Sequence, residues 1–162
     1  MACKAFTVEE ANAALPQIEA ILDRIEERKA EARKHDEKMQ ILDTLWGDEL
    51  ATPQNPDRRE FLQHQQAFHD IFQDINHLIH KEILALGLRF PPGGLDQGLI
   101  DFPTTFEGRW VYLCWQRGES QVGFWHEIDG GYIGRQEISA EHIIVMGKED
   151  DPELLDSSGL DF

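Results

Sequence analysis

The sequence predicts an α+β protein, in which a long antiparallel α-helical hairpin is followed by a small antiparallel β-meander. In the first half of the chain, apolar residues recur with the spacing of an amphipathic helix. The breakers Pro91-Pro92-Gly93-Gly94 interrupt this pattern, and beyond them apolar and polar residues alternate as in a strand. We therefore predict a helical hairpin over residues 1–90, a β module packed on it over 91–148, and a flexible acidic tail over 149–162.

The first helix begins at a capping box, in which Thr7 and Glu10 can each bond the other's backbone N–H. Because Leu15 precedes Pro16, we expect a kink or a new helix start there. From Pro16 to Trp46 the chain has no glycine and no further proline. One apolar stripe, broken by Lys29 and Asp36, runs along it: Leu15, Ile18, Leu22, Ile25, Ala32, Met39 and Trp46. This pattern is typical of a long amphipathic helix with coiled-coil tendency.

The second helix begins at Asn55-Pro56, an N-cap followed by proline, and is expected to end at about Leu86, before Gly87. Its apolar stripe consists of Phe61, Phe68, Phe72, Ile75, Ile79 and Leu86, with Leu62 and Ile83 beside it. Pro16–Trp46 and Pro56–Leu86 are equal in length, which favours an antiparallel hairpin. Two helices cannot bury both stripes between them, so the β module, a second copy of the chain, or both must cover the rest. We therefore expect a homodimer.

The β module is predicted to contain strands at Trp110–Trp115 and Gln121–Ile128, joined by a tight turn around Gly118-Glu119. This turn places Leu113 opposite Phe124 and Val111 opposite His126. Further strands are expected at Gly98–Phe102 and around Tyr132–Glu137. Both faces of the central hairpin are apolar, so both should be covered.

Composition excludes several classes of partner. The chain has a formal net charge of −16, and residues 137–162 contain eight acidic residues and one basic residue. With no basic stripe, binding to nucleic acid or to an anionic membrane surface is not expected. The N-terminus lacks the apolar segment of a signal peptide, and no run is long enough to cross a membrane. Cys3 and Cys114 form no Cys-x-x-Cys pair, so we predict a cytoplasmic protein without disulfides.

Three polar residues of the β module are candidates for a site. Asp101 lies in an apolar strand, where a carboxylate needs a partner; Arg109 or Arg135 could form a structural ion pair with it, or Asp101 could anchor a ligand. His126 is either a buried neutral histidine held by a carboxylate, or a general base or single metal ligand. Cys114 has no signature of an activated thiol and is interpreted as a small buried hydrophobe.

A second set of polar residues lies along the second helix. His69, Gln73, Asn76 and His80 form one strip with His77 at its edge. The strip lies about a third of a turn from the apolar stripe. A solvated or interfacial polar face is therefore favoured over a metal site or over hydrogen bonds between subunits. We predict no metal site and no cofactor.

Several short motifs resemble an uncharacterised bacterial and archaeal family, domain of unknown function two-two-zero-three. They are Phe6-Thr7 through Leu15-Pro16, Gly98-Leu99-Ile100-Asp101-Phe102-Pro103, Leu113-Cys114-Trp115, Gly118-Glu119, Trp125-His126 and Gly134-Arg135-Gln136. The resemblance covers residues 6–137 and implies a small cytosolic protein with a helical hairpin before a compact β module. It implies no activity, cofactor or partner. The family's motif residues, which we take as candidate ligand-binding residues, map onto Asp101, Trp115, Glu119, Trp125, His126 and Arg135.

Two functions follow from these features. The first, which we favour, is a non-catalytic interaction module that dimerises through its helical hairpin and presents an aromatic β surface to a protein partner. The alternative is a small enzyme or a ligand- or metal-binding sensor, whose site combines Asp101, His126 and Arg135 with a wall formed by Trp115 and Trp125.

Overall fold

The computed structural model describes residues 3–160. Its longer elements, in chain order, are helices α1 (Val8–Trp46) and α2 (Arg58–Leu78), strands β1 (Leu99–Phe106), β2 (Arg109–Gln116), β3 (Phe124–Glu127) and β4 (Gln136–Glu137), and helix α3 (Ala140–Val145). The four strands form one antiparallel sheet in the order β1-β2-β3-β4, which is a meander. The predicted α+β class is confirmed.

Helix α1 begins at the predicted capping box. The Thr7 N–H donates to Glu10 Oε1, and the Glu10 N–H donates to Thr7 Oγ1, both at 3.1 Å. The expected new start at Pro16 does not occur, because α1 runs continuously through it. Pro16 lies on the exposed side, where water can reach the carbonyl that proline leaves without its helical donor. Leu15 and Ile18 are buried and hold the helix in place.

Helix α2 is shorter than predicted, because its last turns change type. A π-helical turn follows over Ile79–Ile83 and a 3₁₀ turn over Leu84–Leu86. These turns end at Gly87, where the sequence predicts the end of the helix. Gly87 has a φ of +88°, a left-handed conformation that glycine adopts without a Cβ clash. The two α-helices therefore differ in length, with 39 residues in α1 and 21 in α2.

The chain divides into two compact units. We call Ile21–Glu82 the helical unit, and the residues up to Ala20 together with those from Ile83 onward the β unit. This division differs from the predicted boundaries, since the first turns of α1 belong with the sheet. No helix of residues 3–160 is both long enough and apolar enough to span a lipid bilayer.

Within the helical unit, α1 and α2 pair in opposite directions. Contacts between them, listed from the start of α1, are Arg28 with Asp74, His35 with His64, and Trp46 with Asp57 just before α2. Each step forward on α1 is matched by a step back on α2, as in an antiparallel hairpin. The Trp46 Nε1–H donates to Asp57 Oδ2 at 2.8 Å, which fixes the connection between the helices.

The sheet forms the centre of the β unit and is buried on both faces, as the sequence predicts. On one face Phe102 packs edge-on against Phe6, with ring centroids 5.4 Å apart. The N-terminal segment also bonds the free edge of β1, since the Phe6 N–H donates to the Pro103 carbonyl at 2.8 Å. On the other face lie Trp110 and Tyr112, both buried.

Leu160, within the acidic segment, packs on that second face. Leu160 is 1% exposed and joins the cluster of Trp110 and Tyr112. Its carbonyl accepts a hydrogen bond from the Tyr112 hydroxyl at 3.1 Å. The prediction of a flexible tail is therefore wrong at Leu160, because this apolar side chain packs in the core.

Candidate functional site

The register between β2 and β3 decides which side chains share a face of the sheet. Tyr112 lies opposite His126, Leu113 opposite Trp125, and Cys114 opposite Phe124. The expected register, with Leu113 opposite Phe124 and Val111 opposite His126, is wrong by one residue. The predicted tight turn is replaced by a loop over residues 117–123, which delays the start of β3 to Phe124. Because side chains alternate along a strand, this shift moves His126 to the other face.

The shift brings three residues with reactive side chains together. Asp101 on β1 pairs directly with Cys114 on β2, and His126 on β3 lies diagonally beside Cys114 on the same face. One ligand atom from each of these three side chains lies within 4.8 Å of the others. All three are 2–3% exposed. We call Asp101, Cys114 and His126 the buried trio.

The ring of His126 is held at both nitrogens. Nδ1 lies 2.7 Å from the backbone carbonyl oxygen of Glu127, and Nε2 lies 3.1 Å from Asp101 Oδ1. A carbonyl oxygen can only accept, so Nδ1 must carry a hydrogen and donate it. The other ring nitrogen, Nε2, faces the carboxylate of Asp101. Because Nδ1 carries one hydrogen, a hydrogen on Nε2 as well would make the ring positively charged.

Burial and charge shift the pKa values of two members of the trio. Burial alone would lower the pKa of His126, but the hydrogen bond and negative charge of Asp101 outweigh it and raise the pKa above its ordinary value. Burial, together with the charge of Asp101, raises the pKa of the Cys114 thiol to about 12. Without another ligand the thiol is therefore protonated near neutral pH, which agrees with its interpretation as an unreactive buried residue.

Asp101 is paired with His126 and not with either arginine that the sequence offered. Arg109 bonds Glu127, with its Nε 3.0 Å from Oε2, and Arg135 bonds Glu119, with its Nη2 2.6 Å from Oε1. The prediction that Asp101 is a buried carboxylate with a partner is confirmed. The identity of the partner depended on the β2–β3 register, which the sequence did not give.

Glu119 and Arg135 form a second cluster at the end of β2. Glu119 Oε1 accepts from the Gln116 N–H at 2.6 Å, while its carbonyl accepts from Trp115 Nε1 at 3.0 Å. The guanidinium of Arg135 lies over the ring of Phe124, 4.0 Å from its centroid. Glu119 therefore organises the loop after β2 through several hydrogen bonds, a role that its predicted place in a tight turn does not indicate.

The predicted wall of Trp115 and Trp125 does not stand beside the trio. Strand alternation places both indoles on the opposite face of the sheet, where both are buried. There Trp125 packs against Phe106 and His142, with ring centroids 5.4 Å apart in each pair. The six candidate residues are thus divided between the trio's face, the opposite face and the Glu119–Arg135 cluster.

The histidine strip runs along α2 and into the π-helical turn after it, where His80 lies, and it stays exposed. Within it His69 Nε2 lies 3.1 Å from Gln73 Nε2. Among residues 3–160, the one group of three or more metal-ligating side chains is the buried trio. Sequence reasoning missed two features. One is the membership of Cys114 in the trio, and the other is the contact of His35 Nδ1 with His64 Nδ1 at 2.8 Å between the helices.

Two surface clefts lie away from these residues. One of about 530 Å³ is formed around Pro53, Arg58 and Leu62 in the helical unit. Another of about 370 Å³ is formed around Phe106, Glu141 and His142 in the β unit. Neither is lined by a member of the buried trio, so neither gives a substrate access to it.

Comparison with known proteins identifies a family and no activity. The family model described as "Uncharacterized conserved protein (DUF2203)" matches residues 4–138. Because this match covers more than half of the chain, the chain belongs to that family, and the resemblance stated from the sequence motifs is confirmed. Searches of curated proteins and of solved structures give no significant match.

Proposed function

We propose that this member of an uncharacterised family is a non-catalytic interaction module, and that it forms a homodimer through its helical unit. The observation that carries the proposal is the exposure of large apolar side chains on both helices. Ile41 and Leu45 on α1 are 65% and 66% exposed, and Leu62 and Phe72 on α2 are 42% and 54% exposed. Single exposed apolar residues are common, but a group on one small unit indicates a surface that associates.

The arrangement on α2 favours pairing with another protein surface. Phe72 stacks on Phe68 one turn earlier, with ring centroids 6.1 Å apart, so an aromatic pair stands at the surface. On the helical wheel the exposed polar residues His69 and Asn76 lie between Leu62 and Phe72. Aromatic residues beside hydrogen-bonding groups are typical of protein interfaces.

A second copy is the partner that best suits a two-helix hairpin. The helical unit has few buried apolar residues for its length, and its seam contains a polar contact, His35 with His64. Two hairpins packed as a four-helix bundle would cover the exposed residues of both copies at once. The surface is therefore expected to be self-complementary, as in a two-fold dimer.

The burial of the trio supports a non-catalytic role. A cysteine, a histidine and an aspartate within 4.8 Å could suggest nucleophilic catalysis. Both nitrogens of His126 are engaged with Glu127 and Asp101, and the trio is 2–3% exposed, so neither a free base nor an approach for substrate is at hand. The aromatic residues of β2 are core as well, which favours the helices as the interaction surface.

Light scattering after size exclusion tests the dimer. We expect the intact chain to have twice the chain mass at micromolar concentration, and Phe72→Ser to shift it to the chain mass. Ile133→Ser is the matched control, because Ile133 is 98% exposed but lies in the β unit. The proposal would be contradicted if the unaltered protein had the mass of a monomer, or if both variants changed the measured mass equally. Circular dichroism verifies that Phe72→Ser remains helical.

A second candidate function is favoured by the trio itself. Three donors of different chemistry converge in the interior of the β unit, which suits a protein that binds a small ligand or a metal ion. Native mass spectrometry of the purified chain tests it, since a retained ligand adds its mass to the chain.

The remaining features of the proposal concern partners and location. A cytoplasmic protein with a protein partner, and without nucleic-acid or membrane binding, is in keeping with the net charge of −16 and with the unpaired state of Cys3 and Cys114. Fractionation of the source cells, followed by detection of the chain, tests the location.

A further inference from the structure

We propose that the buried trio binds one divalent transition-metal ion, with Asp101, Cys114 and His126 as its ligands and Zn²⁺ as the ion that fits best. This inference rests on the second candidate function, the ligand-binding β unit, and names the class of ligand. It does not depend on dimerisation. No pair of these residues has ligand spacing along the chain, which is why sequence analysis predicted no metal site.

The hydrogen-bond geometry places a positive charge, either a proton or a metal ion, between His126 and Asp101. The Glu127 carbonyl accepts a hydrogen bond from the Nδ1–H of His126, so a neutral ring presents a lone pair at Nε2. That lone pair faces Asp101 Oδ1, also an acceptor, at 3.1 Å. Two acceptors this close repel each other unless a proton or a metal ion lies between them. The position is therefore built for a positive charge.

The distances suit a metal ion after a small adjustment. Zinc binds histidine nitrogen and carboxylate oxygen at about 2.0–2.2 Å and cysteine sulfur at about 2.3 Å. Such bond lengths place neighbouring ligand atoms of a tetrahedral site roughly 3.3–3.7 Å apart. The trio's donor atoms lie within 4.8 Å of one another. Side-chain rotations that bring the farthest atoms closer by about 1 Å complete the three-ligand geometry.

The chemistry of the donors selects the class of metal. One thiolate, one imidazole and one carboxylate are a mixed soft and hard set, which suits Zn²⁺ or Co²⁺ better than Mg²⁺ or Ca²⁺, since those ions prefer oxygen ligands. On binding the ion the Cys114 thiol releases its proton to solvent, and the resulting thiolate and the carboxylate of Asp101 together balance the two positive charges of the ion. The bound state is then neutral, which an interior position requires.

The surroundings hold two of the three ligands, His126 and Asp101, as metal sites require. A histidine ligand usually donates its second ring N–H to a carbonyl or carboxylate, as Nδ1 of His126 does toward Glu127. Asp101 is fixed by paired backbone bonds with Arg89, at 2.7 and 2.8 Å. The nearby cation Arg135 is paired with Glu119, which reduces its repulsion of a metal ion.

The burial of the trio predicts how the metal behaves. Because the three ligands are 2–3% exposed, an ion reaches or leaves them only when the β unit opens. We therefore expect the ion to enter during folding and to resist a chelator in the folded protein. Such an ion stabilises the fold and has no substrate access, which agrees with a non-catalytic protein.

Elemental analysis after refolding of the full chain with Zn²⁺, followed by desalting, tests the proposal. We expect about one zinc per chain, retained in a chelator under native conditions and released on unfolding in denaturant. Cys114→Ser and His126→Gln should each lower the zinc content at least tenfold. Cys3→Ser is the matched control, since Cys3 is the other cysteine of the same unit, and it should leave the content unchanged. Absence of zinc from the unaltered chain, or equal loss in Cys3→Ser, would overturn the proposal.

Cobalt gives a readout that does not depend on whether the variants fold. The unaltered chain refolded with Co²⁺ should show a thiolate-to-cobalt charge-transfer band, because Cys114 is a ligand. Absence of this band would overturn the assignment. An organic molecule retained by the β unit in place of metal, seen by native mass spectrometry, would overturn the metal while leaving the second candidate function standing.

Discussion

The helices of the helical unit and the sheet of the β unit differ in where they place apolar and polar side chains. In the helical unit Ile41, Leu45 and Phe72 lie at the surface, while His35 and His64 meet in the seam between the helices. In the β unit every aromatic residue of β2 is buried, and the polar trio is buried with them. The first unit thus exposes apolar side chains along its two helices. The second exposes its own only outside the four strands, as at Ile133 and Leu154, and keeps its polar trio buried in the sheet.

This difference assigns different tasks to the two units. A helix with exposed apolar residues is stabilised when another surface covers them, because the apolar area is removed from water. A buried polar group contributes nothing comparable, and it is tolerated only when its partners are in place. The helical unit is therefore the candidate for association, and the β unit is the candidate for a bound ion and for stability.

The largest expected effect comes from the same truncation made in each unit. Phe102 is fully buried in the β unit, so Phe102→Ala should lower the free energy of unfolding by about 3–5 kcal/mol. Phe72 is 54% exposed, so Phe72→Ala should lower the stability of the monomer by less than about 1 kcal/mol. Urea denaturation at a concentration that favours monomer measures both. Equal losses would contradict the contrast between the units.

A second pair of variants tests the packing at the end of the chain. Leu160 is 1% exposed and Leu154 is 82% exposed. Leu160→Ala should cost about 2–5 kcal/mol because it opens a cavity beside Tyr112. Leu154→Ala should change stability by less than about 0.5 kcal/mol. Thermal melts that do not separate the two variants would show that the end of the chain is not part of the core.

Loss of charge in the trio should have an intermediate effect. Asp101→Asn removes the negative partner of His126 in the interior, which should cost the metal-free protein about 1–3 kcal/mol. Glu107→Gln is the control, since its carboxylate pairs with Arg109 at an exposed position, and it should cost less than about 0.5 kcal/mol. Chemical denaturation of both variants in chelator decides between a buried and a superficial role for Asp101.

The smallest effect concerns pH at the edge of the sheet. The hydrogen bond from Arg109 holds the pKa of Glu127 below its ordinary value. A carboxyl whose folded pKa is lowered stabilises the protein fully above its unfolded pKa of about 4.3, and this contribution is lost as pH falls through the folded pKa. The melting temperature of Glu127→Gln should therefore be lower than that of the unaltered chain at neutral pH, and the gap should close on acidification. A gap that widens toward acid would contradict the pairing.

The sequence predicted the parts of the fold that depend on local pattern. The capping box at Thr7, the end of helical structure at Gly87 and the strand predicted over Trp110–Trp115, which is β2, all follow from residue type and spacing. Pro16 misled the prediction because burial of its neighbours outweighed the local preference of proline. Tertiary packing decided that position.

The trio could not be assembled from the sequence, because it depends on a single residue of register. A tight turn at Gly118-Glu119 places His126 on the face away from Cys114, and the observed loop reverses this. The loop conformation depends on a local bond from the Gln116 N–H to Glu119 and on the pairing of Glu119 with Arg135, and Arg135 lies 16 residues further along the chain. The burial of Leu160 could not be predicted either, because the acidic residues around it dominate the local composition.

Hydrogen exchange measured at two protein concentrations tests the contrast between the units most directly. We expect amides of the helical unit around residues 62–72 to become more protected at the higher concentration, because a second copy covers them. Amides of β1 and β2 should exchange at the same rate at both concentrations. Equal protection of the helical unit at both concentrations, in a range where the mass is expected to change, would contradict association through the helices.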